Sequence, residues 1–306
     1  MIVTSNLLSK LFKTNNSEIR LFCLNSLKKK ITFKYLDKKK EKDLIKKLIK
    51  KIAIDSQKVG AKVRKRVWYK GWKETLDLVV KKREKSYLPK YLSLQKNNIF
   101  RLNGKFVKSK KNFEIQMLNI YRNWYFQKYF NLVDNIYEFG VGTGHNLIAL
   151  SKLFPKKVLY GSDFVSPSIK ILKKIKKDKN IDLKFFIFDM EKPNKNLKIQ
   201  KNSAVYTSGA IEQLSGRIEN FVNFLIKNKP KIVLHSEPIL QFYKSNNQVD
   251  ALGKIFHLKR SYTSNLYTLL SKYEKEGKIN IIKKLKSPFG SLMMEGYSLI
   301  VWKPTK

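Results

Sequence analysis

The sequence predicts an α/β fold: a doubly wound, mostly parallel seven-stranded sheet with an antiparallel C-terminal strand pair, plus a mainly helical N-terminal extension. Three observations carry it. Seven short apolar runs lie between residues 135 and 304: "NIYEFG", "KVLYGSDF", "LKFFIFDM", "SAVYTSGA", "PKIVLHSEP", "KINIIKKL" and "YSLIVWKP". A glycine-rich turn, "EFGVGTG" at 138–144, joins the first run to a helical pattern. The last two runs are joined by "SPFGSLMMEG" with no helix between them.

The elements follow in order. Residues 1–55 read as Lys-rich helix. Leu44, Ile45, Leu48, Ile49 and Ile52 share one helical face. That stripe suits either packing on the domain or lying on a membrane surface. Next, Trp68, Tyr69 and Trp72 alternate with Lys and Arg. Such aromatics dock one segment on another, or stack bases. Pro89 is read as a helix stop. Asn103-Gly104 marks a turn between short β-like runs. Residues 113–133 read as a helix with aromatics nearly all round. From residue 135 strands and helices alternate, with helices expected at 145–154, 167–177 and 216–228. Segment 240–276 is expected to be mostly helical. Two parts result: a basic region 1–130, read as lid or acceptor-binding wall, and a Rossmann-like domain 131–306.

With 42% apolar residues, the 306-residue chain can bury a sizeable core. Cys23 is the single cysteine, which excludes an intrachain disulfide and a multi-cysteine metal site and fits a reducing compartment. No uncharged run approaches the roughly 18–20 residues of a membrane span. The expectation is a soluble, cytoplasmic protein with no integral membrane segment. The net charge of +42 points to a polyanion, yet 57 of the 65 basic residues are Lys and eight are Arg. Lys-rich composition alongside abundant Asn and Ile also follows from AT-rich codons. Residues 1–130 carry net +26 and residues 131–306 net +16, so RNA or an acidic membrane surface stays open as a partner.

The site chemistry starts at Gly140, Gly142 and Gly144. A strand ending in such a turn brings backbone close to a ligand at the carboxyl edge of a parallel sheet. The spacing is G-x-G-x-G, not the dinucleotide G-x-G-x-x-G. Glu138 beside the turn would repel a pyrophosphate and suits a cationic ligand end. Asp163 ends the second run, where a carboxylate accepts ribose hydroxyls or caps the following helix. Asp189 ends the third run and can accept from an adenine amino group, with Phe164 and Met190 as apolar contacts. Ser208, after the fourth run, joins this cofactor-binding set.

Glu138-Phe-Gly-Val-Gly-Thr-Gly144, Asp163 and Asp189 resemble the first three motifs of class I S-adenosylmethionine-dependent methyltransferases. The resemblance covers roughly residues 135–306, including the antiparallel strand pair. It implies that Glu138 and the glycines hold the methionine end of S-adenosyl-L-methionine, that Asp163 holds the ribose, and that Asp189 lies near adenine. Residues 1–130 match no domain.

The acceptor is expected at the loops after the fourth and fifth runs. Glu212, His235 and Glu237 are the candidate acid–base residues, His235 with Glu237 as its orienting partner. His145, Glu295 and Tyr297 border the same region. Three dispersed histidines predict no metal site. The leading expectation is methyl transfer to a small or medium-sized metabolite, such as a sugar or lipid-linked intermediate. The alternatives are an RNA methyltransferase docking through the basic N-terminal part, and a non-catalytic binding module.

Overall fold

A computed structural model describes residues 1–59, 64–81, 87–89, 92 and 98–305. The N-terminal part contains α1 (Ser5–Phe12), α2 (Asn16–Leu27), β1 (Phe33–Tyr35), α3 (Lys38–Ala53), α4 (Arg64–Val80), β2 (Ile99–Leu102), β3 (Lys105–Ser109) and α5 (Phe113–Phe130). Side-chain caps start the first three helices: Thr4, Asn15 and Asp37 accept from the backbone N–H three residues on. The Asn103-Gly104 turn is present, both residues at positive φ, and it pairs β2 with β3. Segment 82–86, before Pro89, lies outside the described residues, so the expected stop there is not described; α4 ends at Val80.

The C-terminal part contains β4 (Asn135–Phe139), α6 (His145–Leu153), β5 (Val158–Asp163), α7 (Ser166–Lys179), β6 (Leu183–Ile187), β7 (Ser203–Ser208), α8 (Glu219–Asn228), β8 (Ile232–Glu237), α9 (Gln248–Lys259), α10 (Leu266–Lys275), β9 (Ile279–Leu285), β10 (Phe289–Gly290) and β11 (Ser298–Pro304). Seven strands form one sheet in the order β6-β5-β4-β7-β8-β11-β9. The strands β4 to β8 run parallel, and β11 lies antiparallel between β8 and β9. Strands β4, β7 and β8 are buried almost throughout, which is why they read as continuous apolar runs.

The N-terminal part is less purely helical than expected. A second, antiparallel sheet has the order β1-β3-β2-β10. Its last strand comes from the far end of the chain: Phe289 pairs with Leu102 and Gly290 with Arg101. Helix α5 is buried over most of its surface, with Trp124, Tyr121, Tyr125 and Phe126 fully buried. The Tyr125 and Tyr206 hydroxyls meet at 2.8 Å, tying α5 to the large sheet. Leu48 and Ile52 of α3 pack on Val249, Leu252 and Phe256 of α9, so this apolar stripe is used inside the protein. Among the described residues, no helix is long and apolar enough to cross a membrane.

Candidate active site

At the end of β4 the chain turns through the three glycines, with φ of +75°, +54° and +72° at Gly140, Gly142 and Gly144. Their reasons differ. A Cβ on Gly140 would lie 2.4 Å from Cβ of Ala210, and one on Gly142 would lie 2.8 Å from the ring of Trp72. A Cβ on Gly144 would instead strike Leu172 and Ile175 of α7. The first two glycines keep the turn slim where other segments close over it, and the third lets α7 approach. Ser168 of α7 donates to the Gly142 carbonyl and fixes that approach.

This turn forms one wall of a cavity of about 840 Å³. That is at the upper end of the volumes of small-molecule sites, about 300–1,000 Å³. Of the residues read as the cofactor set, Glu138, Gly140, Gly142, Asp163, Phe164, Met190 and Ser208 line it. Gly144 and Asp189 are not among the lining residues.

Glu138 is 2% exposed. Its Oε1 accepts from Asn146 Nδ2 at 2.7 Å, while Oε2 has no partner among the described residues. Arg122 of α5 bonds Asn146 Oδ1 at 2.8 Å and so holds that amide in place. Burial pushes the Glu138 carboxyl up to about 8, against the pull of Asn146 and Arg122. A buried acid with one unsatisfied oxygen in a cavity wall is a receptor for a cation or a strong donor.

Asp163 closes the glycine turn from the next strand. Its Oδ2 accepts from Gly142 N at 3.0 Å and its Oδ1 from Val165 N at 3.3 Å. Burial raises it to about 6, with the backbone N–H groups opposing. Asp189 has turned to local work: Oδ1 accepts from Glu191 N at 3.0 Å and lies 3.7 Å from Arg64 Nη1. Arg64 also pairs with Glu191 at 3.3 Å and lays its guanidinium on Phe164.

Of the three acid–base candidates, only Glu212 lines the cavity. It sits on a single 3-10 turn, Ile211–Leu214, and accepts from Gln213 Nε2 at 2.7 Å. Burial and then the neighbouring Glu237 push its carboxyl up to about 8. The expected direct pairing of His235 with Glu237 at the acceptor is corrected here. His235 is fully buried in β8, where its Nδ1 meets the Thr207 hydroxyl at 2.9 Å. Burial pushes it down to about 3, so the ring is neutral. Glu237 accepts from the N–H groups of Ala210, Ile211 and Glu212 at 3.1, 3.2 and 3.4 Å. It caps the turn that carries Glu212, and neither His235 nor Glu237 lines the cavity.

His145 does line it, neutral for the same reason, with burial pushing it to about 3. Tyr297 lines it too and donates to Glu114 Oε1 at 3.0 Å. Glu295 is spent elsewhere, in a buried pair with Arg101 at 3.0 Å.

The structure adds Glu114 to the site and gives Trp68 and Trp72, read in the sequence as docking or stacking aromatics, a place in it. Glu114 is 3% exposed, with its carboxyl raised by burial to about 7. An acid opening an otherwise apolar helix was the available signal, but first-turn acids are common as partners of the helix dipole. Trp68 and Trp72 stack with centroids 5.2 Å apart and line the cavity from α4. Among the described residues no group of three or more His, Cys, Asp or Glu is arranged to hold a metal.

Strand order, the glycine turn and the buried acids Glu138 and Asp163 at the ends of adjacent strands define a Rossmann-like fold. No protein-family model matches the chain, and no curated protein matches it. Among solved structures, it is similar to a plantazolicin methyltransferase in complex with a pentazolic desmethylPZN analog and SAH. That pair shares 15% identity at TM-score 0.40, covering 86% of this chain and 99% of that one. A protein from Pyrococcus horikoshii OT3 shares 11% at TM-score 0.44, covering 59% and 86%. An O-methyltransferase from neocarzinostatin biosynthesis, in complex with S-adenosylmethionine and 2-hydroxy-5-methyl naphthoic acid, shares 10% at TM-score 0.42, covering 57% and 49%. Likenesses of this degree leave activity and acceptor to the chain's own geometry.

Proposed function

We propose that this chain is an S-adenosyl-L-methionine-dependent methyltransferase acting on a small or medium-sized metabolite. The observation that carries the reading is the lone Oε2 of Glu138 in the wall of a cavity that is also lined by the glycine turn, Asp163 and Phe164. These residues fit the group. Glu138 would take its ammonium, the backbone at Gly140 and Gly142 would border its methionine end, and Asp163 would face its ribose. Phe164 and Met190 offer apolar surface for its purine. When bound, the cofactor supplies a methyl group on a positively charged sulfur.

The chain's own contribution is enclosure and alignment. Region 1–130 is read as the lid and acceptor wall, since α4 and α5 contribute Trp68, Trp72, Glu114 and Leu118 to the cavity. The 3-10 turn with Glu212 faces the same space, held by Glu237 from behind. Glu212 is the residue positioned to take a proton from an acceptor.

Calorimetric titration with S-adenosylmethionine and S-adenosylhomocysteine tests this reading. One-to-one uptake of both is expected, weakened in Asp163→Ala. An absence of uptake by a folded protein refutes it.

A further inference from the structure

Helix α4 stands where the cofactor is read to lie. Residues 64, 68 and 72 share one of its faces, about 12 Å from first to last. Arg64, Trp68 and Trp72 all line the cavity. Arg64 covers the Phe164 ring at 3.8 Å. Trp72 lies so close over the glycine turn that a Cβ on Gly142 would meet its ring at 2.8 Å. Trp68 stacks on Trp72. One helix face thus occupies both the apolar surface read for the purine and the backbone read for the methionine end.

The two halves of α4 are held differently. Thr75 and Val79 are buried, and Val79 belongs to the main core. In the first two turns Lys65, Arg66, Val67, Tyr69 and Lys70 are exposed. Arg64 pairs there with Glu191 at 3.3 Å, a carboxylate that Arg217 also holds at 2.9 Å. Arg64 Nε is buried with no partner among the described residues. A latch with a shared acceptor and an unsatisfied donor is easily released.

Gly71 stands at the boundary between these halves. Glycine inside a helix is less stable than alanine, and a Cβ at Gly71 would meet nothing within 4 Å. Packing gives no reason for it. The Thr75 hydroxyl donates to the Gly71 carbonyl at 3.2 Å, a back-bond of the kind that loosens and bends helices. Two weakening features therefore coincide where the covering half meets the anchored half.

Resting on the methyltransferase reading, we propose that residues 64–70 form a hinged cover that swings about Gly71, and that the cofactor binds by displacing it. Arg64 gives up the purine surface, Trp68 leaves Trp72, and the Trp72 ring is released to turn off Gly142. Residues 76–80 stay anchored.

The test separates this from the parent reading. S-adenosylhomocysteine is titrated by calorimetry into the wild type, Gly71→Ala and Arg64→Ala, and its association is timed by stopped-flow tryptophan fluorescence. Uptake by any of the three upholds the parent reading whatever α4 does; uptake by none refutes that reading and the cover with it. Gly71→Ala should melt no lower than the wild type, because alanine favours the helix. It should nonetheless bind about two- to fivefold more weakly, and more slowly. In a helix the N–H groups of 72–75 reach carbonyls 68–71 across the hinge. Hydrogen–deuterium exchange of those four amides should therefore quicken in the complex, with 77–80 unchanged. Slower or unaltered exchange at 72–75 overturns the proposal. So does a Gly71→Ala variant that binds as fast and as tightly as the wild type.

Discussion

The guanidinium carbon of Arg64 lies 3.8 Å from the centroid of the Phe164 ring. A flat cation thus covers the apolar face proposed for the purine, and the nearby Glu191 carboxylate holds it there. A purine stacking on Phe164 has to displace it. The stacking is worth about 0.5–2 kcal/mol. Arg64→Ala should therefore tighten cofactor binding by roughly two- to thirtyfold, read by calorimetry. Weaker binding would show that Arg64 clamps the ligand instead.

Glu138→Gln separates ligand binding from stability. The variant keeps a partner for Asn146 but loses the negative charge. A hydrogen bond to a charged group is worth about 1.5–3 kcal/mol, so cofactor affinity should fall roughly ten- to hundredfold. Removing a strained buried acid should leave the melting temperature at neutral pH unchanged or higher. A lower melting temperature with undiminished affinity would give Glu138 a purely structural role.

Stability should fall with alkaline pH. Burial lifts Glu114 and Glu237 to about 7 and Glu138 and Glu212 to about 8, from an ordinary 4.5. The folded chain binds these protons more tightly than the unfolded one. Their contribution is full below about 4.5 and lost as pH rises through 7–8. The neutral histidines act oppositely, but only below their ordinary 6.5: burial lowers His145 and His235 to about 3 and His257 to about 4. Above about pH 7.5, where the unfolded histidines have lost their protons, the carboxyls dominate, and scanning calorimetry should show a melting temperature that falls up to about pH 8.5. Cofactor should reverse the slope in part, because its ammonium favours the ionised Glu138. A flat profile for the ligand-free protein would contradict the proton balance.

Two glycines isolate the steric demand of the turn. Gly140→Ala combines φ of +75° with a 2.4 Å approach to Ala210, whereas Gly277→Ala has φ of +70° and nothing within 4 Å. The second should cost only the left-handed penalty, about 1–2 kcal/mol. The first should cost more and abolish cofactor uptake, as measured by chemical denaturation and calorimetry. Equal costs would mean that Ala210 yields freely.

The strand runs and the glycine turn were legible because their causes are local. A strand buried on both faces must be apolar along its length, and a turn at positive φ asks for glycine. His235 and Glu237 misled for a physical reason. Residues two apart share a strand face, but alternation does not say which face meets a ligand. Arg64 and Glu114 were illegible as site residues, and the docking read for Trp72 named no partner, because their place depends on where α4 and α5 pack. The same holds for β10, a two-residue strand whose partner lies near residue 101.

That two-residue strand has an evolutionary consequence. The small N-terminal sheet is stitched to the tail of the chain, with Arg101 buried against Glu295 beside the stitch. A new acceptor preference therefore cannot arrive by swapping the first third for a foreign segment. It has to accumulate residue by residue, with both ends of the polypeptide drifting in concert.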